Sequence, residues 1–226
     1  MQKYIPVLEK CPLFCGMKPQ EITAILACLG ATKKEYGKNA PIFLEGDPAG
    51  YLGVLLSGSA QIVRDDYYGR RSIVSGIEAG QIFGEAFACA GVECLPVSVI
   101  ATSQSAGLLI DCHRIATPCS NACAFHSRLM LNLLRVVANK NLLINRKLEI
   151  ISRRTTREKL LTYLMNQAKL NRSDDFTIPF NRQELADYLG VERSALCAEI
   201  SKLRFEGILE SRRNSFHLLK NDAQKA

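Results

Sequence analysis

The chain divides into three stretches by the period of its apolar positions. Between about Ala31 and Cys112 the apolar runs are short and are separated by glycine-centred turns. Residues 41–44 and 52–56 read as strands, with Glu45-Gly46-Asp47-Pro48 and then Ser57-Gly58 as the turns that follow them. Residues 61–63 lead to a polar tip, Asp65-Asp66-Tyr67-Tyr68-Gly69, and residues 72–74 return towards Glu78-Ala79-Gly80. Short strands at such regular intervals predict an antiparallel barrel or jelly roll. A helix over residues 18–29 precedes them, with Pro19 in its first turn, where no amide donor is lost. Cys28 is expected on the apolar face of that helix, packed as a small hydrophobe.

From residue 127 the period changes to 3.5. Met130, Leu134, Val137, Asn141, Ile144, Leu148 and Ile151 follow one another in alternating steps of four and three. This is a heptad seam, rising roughly 33 Å at ~1.5 Å per residue, and it needs a partner helix. A second copy of the chain is the expected partner. Asn141, the single polar seam residue, is of the kind that fixes register and a two-stranded state. The seam ends near residues 152–156, where Thr155 or Thr156 caps a new helix expected to run through Leu164.

The third stretch, residues 181–203, has the grammar of a helix-turn-helix. Asn181 is an N-cap with Glu184 three residues on. Leu185 and Leu189 mark a buried face, Ala186 permits a close crossing, and Gly190 supplies a left-handed turn residue. Leu196, Ile200 and Leu203 form the buried stripe of a second helix, which leaves Arg193, Ser194, Ala195, Ala198, Glu199, Ser201 and Lys202 on its exposed face. Residues 176–178 before the motif and 208–219 after it read as strands, the latter forming a hairpin wing with Arg212 and Arg213 near its tip. The predicted fold class is therefore α+β. An N-terminal double-stranded β-helix (jelly roll) spans residues 1–126, a long dimerisation helix 127–151, and a C-terminal winged helix-turn-helix 152–226.

Composition and charge add a partner. The 226 residues are 47% hydrophobic and 23% charged, a globular balance. No apolar run reaches the ~18 residues of a membrane span, and the N-terminus lacks a secretory signal, so a cytoplasmic protein with no membrane partner is expected. The net charge is +7, and residues 127–172 alone hold eleven Lys and Arg against two Glu. That concentration points to double-stranded DNA. The candidate DNA contacts are Arg182, Gln183, Arg193, Ser194, Ala195, Ala198, Lys202, Arg212 and Arg213. Arg193 is placed to meet a base edge or a phosphate, and Arg182 to lie against the DNA backbone. There is no P-loop, Gly-x-Ser-x-Gly, HExxH or GxGxxG, and only three histidines, so an enzyme is not expected.

Several landmarks occur in a telling order: Pro12-Leu13-Phe14, residues 42–47 (Ile-Phe-Leu-Glu-Gly-Asp), residues 80–85 (Gly-Gln-Ile-Phe-Gly-Glu), the long helix, and residues 182–203. Together they resemble the Crp–Fnr superfamily of bacterial transcription regulators over nearly the whole chain. The resemblance implies a cyclic-nucleotide-binding-like β-roll, a homodimer made by the long helix, a palindromic DNA site with half-sites about one DNA turn apart, and RNA polymerase as a partner for an activator. The corresponding effector pocket comprises Phe83, Gly84, Glu85, Leu95, Pro96 and Val97. In cyclic-AMP-binding members an Arg-Ser pair holds the cyclic phosphate where Leu95 and Pro96 stand here, so cyclic AMP is not the expected effector. Glu85 is expected to serve structure instead, for example by capping a short helix. Ser194 and Ala198 stand where well-known members carry Glu and Arg, so a different half-site is expected.

Nine cysteines in such a chain argue against a disulfide framework. Oxygen-sensing members of the superfamily carry an iron–sulfur cluster, but the spacing of Cys11, Cys15 and Cys28 does not match, and the cofactor is left unknown, with no strong evidence for cyclic AMP, a cluster or haem. Cys119, Cys123 and His126 share a helical face and are the candidate metal or redox ligands, with packing as the other role open to them. The sequence reads as a transcription regulator responding to an unidentified effector. The alternatives are a redox or metal sensor using Cys119, Cys123 and His126, and a cyclic-nucleotide-binding module that acts through protein partners.

Overall fold

The computed structural model describes residues 1–65, 67–68, 70–117 and 124–219. The polar-tip residues Asp66 and Gly69, and the candidate ligands Cys119 and Cys123, lie outside the described residues. The chain forms two compact units, Met1–Lys140 and Asn141–Ala226.

The first unit opens with helix α1 (Ile5–Lys10), a 3-10 turn at Pro12–Phe14 and helix α2 (Pro19–Cys28). Eight strands follow: β1 (Thr32–Tyr36), β2 (Pro41–Phe43), β3 (Tyr51–Ser57), β4 (Ser59–Asp65), β5 (Arg71–Glu78), β6 (Ile82–Phe83), β7 (Ser98–Ala101) and β8 (Ser105–Asp111). Helix α3 (Glu85–Ala90) interrupts them, and α4 (Cys112–Ala116) follows the last. They form two antiparallel four-stranded sheets, ordered β1-β8-β3-β6 and β2-β7-β4-β5.

Alternation along β3 explains the layering. Leu52, Val54 and Leu56 point to one side, where they join α1, α2, α4 and the long helix α5 (Ala124–Ile151) in one core. Leu55 points the other way, into the interior of the roll with Phe43, Ile77, Phe83, Leu95 and Val99. Residues of one strand alternate between faces, so a strand buried on both sides reads as a continuous apolar run. Gly53 lies in the middle of this run against Phe83, and a Cβ there would meet the ring at 2.2 Å. The absence of a side chain on Gly53 is what lets Phe83 fill the roll.

Helix α5 is about 42 Å long at ~1.5 Å per residue. Its Leu129, Leu133 and Val136 are buried against the roll. Asn132, also buried, donates from Nδ2 to the carbonyls of Leu13 (3.0 Å) and Cys15 (2.9 Å). The heptad positions lie on a different face. Met130, Leu134, Ile144, Leu148 and Ile151 are exposed, Leu134 by 64%, as is Asn141, while Val137 is half-buried.

In the second unit, helix α6 (Thr156–Asn171) has the capping box Thr155–Glu158. It runs to Asn171 rather than ending at Leu164, because Arg172, in the left-handed conformation, provides its stop. Strand β9 (Asp175–Thr177), helices α7 (Arg182–Leu189) and α8 (Arg193–Phe205), and strands β10 (Leu209–Arg212) and β11 (Ser215–Leu218) complete it. The sheet order is β10-β11-β9. Ile150, Leu160, Leu164, Leu185, Leu196, Leu203 and Phe216 are part of its core. Tyr163, Phe180 and Tyr188 pack ring against ring at its edge.

Cys28 corrects an expectation: it is exposed. The buried stripe of α2 is Ile22, Ile25 and Leu26, continued by Leu29, and Cys28 falls to the side of that stripe. Two buried polar groups give opposite expectations. Asn132→Leu strands two carbonyls and lowers unfolding stability by about 1–3 kcal/mol. The Tyr163 hydroxyl is buried with no hydrogen-bond partner among the described residues, so Tyr163→Phe leaves stability unchanged or raises it by up to about 1 kcal/mol. Urea unfolding of the two variants checks both signs.

Candidate nucleic-acid interface

Helix α7 starts as its sequence dictates. The Asn181 side chain accepts hydrogen bonds from the amides of Gln183 (2.9 Å) and Glu184 (3.0 Å), and the Glu184 carboxylate accepts from the Asn181 amide at 2.7 Å. Gly190 ends it at φ 61° and ψ 51°, a left-handed conformation that costs glycine nothing. The Val191 amide then closes the turn on the Ala186 carbonyl at 3.0 Å. Leu196, Ile200 and Leu203 are buried and fix the rotation of α8. Arg193, Ser194, Ala195, Ala198, Ser201 and Lys202 consequently face solvent.

Glu199 does not belong to that open face. Arg157 of α6 donates to Glu199 at 3.3 Å and to both carboxylate oxygens of Glu206, at 3.1 and 2.5 Å. These bonds raise the Arg157 pKa and hold the Glu206 carboxyl below its usual range. The pairing ties the C-terminal half of α8 to the start of α6. Sequence reasoning missed Arg157 because its partners are 42 and 49 residues away.

Arg182 is half-buried, with its guanidinium 4.9 Å from the Phe216 ring centroid and Nη2 donating to Ser211 Oγ at 3.3 Å. Burial lowers its pKa, but arginine keeps its charge at neutral pH. Arg182 is thus fixed by the wing strands as well as by its helix. The wing turns at Arg213, which has φ 53°, and Asn214. Asn214 Nδ2 donates to the Ile178 carbonyl at 3.2 Å, and the Ile178 amide returns a bond to the Asn214 carbonyl at 2.9 Å. A concavity of about 630 Å³ brings together Arg182, Gln183, Arg193, Arg213 and Asn214. Arg212 lines a separate groove with Ser201, Arg204 and Phe205. Lys202 lines neither of these two.

Residues 33–116 match the family model of the cyclic nucleotide-binding domain, and residues 158–223 match the Crp-like helix-turn-helix domain. The chain belongs to the Crp–Fnr superfamily. Its solved structural neighbours share the fold at low identity. The catabolite activator protein of Thermus thermophilus is 20% identical, with a TM-score of 0.54, covering 92% of this chain and 93% of its own. DNR of Pseudomonas aeruginosa is 18% identical, with a TM-score of 0.51, covering 99% and 96%. The c-di-GMP-responsive regulator CLP of Xanthomonas campestris is 22% identical, with a TM-score of 0.50, covering 90% and 100%. No curated protein sequence matches the chain. The protein has the architecture of a Crp-family transcription regulator, and no helix among the described residues is long and apolar enough to cross a membrane.

The residues expected to form the effector pocket lie in the roll of this Crp–Fnr chain. Leu95 is buried in the interior of the roll, and its amide and carbonyl bond to Asp47 and Gly46 at 2.8 Å each. Phe83 is equally buried, while Gly84, Pro96 and Val97 are half-buried. Glu85 is buried but caps nothing. Its carboxylate accepts a hydrogen bond from Lys140 Nζ at 2.6 Å, and Lys140 also donates to the Ile82 carbonyl at 3.2 Å. Gly84 is the N-cap of α3, and Glu85 instead links α3 to α5. Leu95 is uncharged, and the Glu85 carboxylate is engaged by Lys140. His126 is buried, and its Nε2 donates to the Arg114 carbonyl at 3.2 Å, a bond that seats the start of α5.

Lys140→Met leaves the Glu85 carboxylate buried without its cation and costs about 1–3 kcal/mol, moderated because the lysine is half exposed. Adding Glu85→Gln recovers most of that loss. A double-mutant cycle by chemical denaturation measures the coupling.

Proposed function

We propose that this protein is a transcription regulator that binds a palindromic DNA site as a homodimer and responds to an effector other than cyclic AMP. The observation that carries the DNA reading is the open face of α8. Small side chains there (Ser194, Ala195, Ala198) allow the helix to sit deep in a major groove ~12 Å wide. Arg193 at its N-terminus reaches base edges, and the adjoining concavity with Arg182, Gln183 and Arg213 meets the flanking phosphates. Lys202 and Arg212 add charge along the same domain.

The homodimer rests on the exposed stripe of α5. Leu134, Ile144 and Leu148 are more than half exposed in a single chain, at the heptad spacing that pairs two helices. Two recognition helices related by a two-fold axis read half-sites about one DNA turn apart. The chemistry around Leu95 and Glu85 supports an effector other than cyclic AMP. An activator of this kind engages RNA polymerase in the cytoplasm.

Selection of DNA from a random pool tests the reading, with and without oxygen, cyclic mononucleotides and cyclic di-GMP. The expected result is enrichment of a palindrome that does not depend on cyclic AMP. A failure to enrich any sequence under all conditions overturns the DNA-binding reading. Arg193→Ala is expected to cost roughly 1–3 kcal/mol on the selected site and much less on unrelated DNA, as measured by fluorescence anisotropy. Equal losses on both would make it a phosphate contact. Leu134→Asp with Ile144→Asp is expected to give monomers in sedimentation velocity, and Asn141→Leu to keep the dimer.

A further inference from the structure

Two thiols outside the predicted ligand set stand together in the first unit. Cys89, exposed at the end of α3, has its sulfur 3.5 Å from that of Cys112, buried at the start of α4. Both line a cleft of about 380 Å³ that also includes Ala88, His113, Met130 and Leu133. The last two belong to α5, and Met130 is also a heptad position. The cleft is therefore walled by α3, α4 and the flank of the long helix.

The two thiols have different surroundings. Cys112 is held by burial, and by its neighbours Cys89 and Asp111, with its pKa pushed up to about 12. It is shielded from solvent and does not meet an oxidant first. Cys89 is the accessible partner. A small peroxide reaches it from solvent, while Cys112 waits at contact distance. Closing the pair to a bond of ~2.05 Å draws the two sulfurs together by about 1.5 Å. Helix α3 is only six residues long, with Gly84 before it and Gly91 after it. Helix α4, by contrast, continues directly from β8. Helix α3 also begins with Glu85, whose carboxylate holds Lys140 of α5. A shift of α3 at one end is felt by the α5 contact at the other.

We propose that Cys89 and Cys112 form a dithiol modification site, which a hydroperoxide converts to a disulfide between α3 and α4 and which thereby alters the seating of α5. Cys89 sulfur attacks the outer peroxide oxygen. The O–O bond breaks, the departing alkoxide takes the Cys89 proton and leaves as an alcohol, and Cys89 becomes a sulfenic acid. Cys112 sulfur then attacks Cys89 sulfur. The S–S bond forms, and the hydroxide that leaves takes the Cys112 proton to become water. Two thiols have lost two electrons, and the peroxide has gained them. A dithiol reductant reverses the change by exchange.

The test uses the full chain, reduced and then exposed to hydrogen peroxide, with free thiols alkylated before peptide mapping. The expected product is a peptide pair linked through Cys89 and Cys112, lost in Cys89→Ser and restored to free thiols by dithiothreitol. In Cys112→Ser, Cys89 has no partner and is captured by dimedone as a sulfenic acid. Hydrogen exchange of the oxidised protein is expected to change by about fivefold or more in α3 and across residues 133–140, relative to the reduced protein and to oxidised Cys89→Ser. Separate alkylated Cys89 and Cys112 peptides after peroxide, or Cys89 joined to Cys119 or Cys123 instead, would overturn the site. A Cys89–Cys112 link with unchanged exchange over residues 133–140 overturns the coupling to α5. Neither readout depends on DNA.

Discussion

Burial of Leu129, Leu133 and Val136 against the outer face of the β-roll fixes the rotation of α5, and most of the molecule's organisation follows from that rotation. The roll offers this apolar face because β3 and β8 are buried on both sides, with one set of side chains filling the interior and the other awaiting helices. Asn132, His126 and Lys140 lock the same face of the helix with hydrogen bonds to Leu13, Arg114, Ile82 and Glu85. The heptad positions are thereby left on a surface the single chain does not cover. One helix thus has two apolar stripes with different tasks, one inside the protomer and one for the proposed dimer.

The C-terminal unit shows the same economy of means. Its core decides which way α8 faces, and polar pairs keep it there. Arg157 clamps Glu199 and Glu206, leaving the small residues at the start of α8 as the open surface. Arg182 stacks on Phe216 and reaches Ser211, so the helix and the wing position one another. A rigid helix with small outward residues suits groove insertion, because affinity then depends on few side chains held in place rather than many that must be ordered.

The roll matches the cyclic nucleotide-binding domain, and two residues of the expected effector pocket serve the protein's own packing. Leu95 contributes to packing, and Glu85 joins α3 to α5 through Lys140. The link from α3 to the long helix is thus made by the protein's own side chains. Cys89, in contact with Cys112, lies near the far end of the same short helix, and the proposed coupling of the roll to α5 runs through α3.

The sequence by itself determined whatever depends on near neighbours. The capping box of Asn181 and Glu184, the left-handed Gly190, the stripe Leu196–Ile200–Leu203 and the heptad of α5 each express a period or a cap a few residues long, and the helix-turn-helix was legible from them. The strands around Gly58 and Gly80 were legible for the same reason. The tertiary structure alone decided which apolar stripe is covered and which polar groups meet. Cys28 was placed on the wrong side because two candidate faces of α2 differ only in what packs against them. Glu85 and Lys140 are 55 residues apart, Arg157 and Glu206 are 49 apart, and Cys89 and Cys112 are 23 apart. No periodicity links such positions. They meet because the double-sided sheet and its helices fold them onto one another, and that packing depends on the whole core at once.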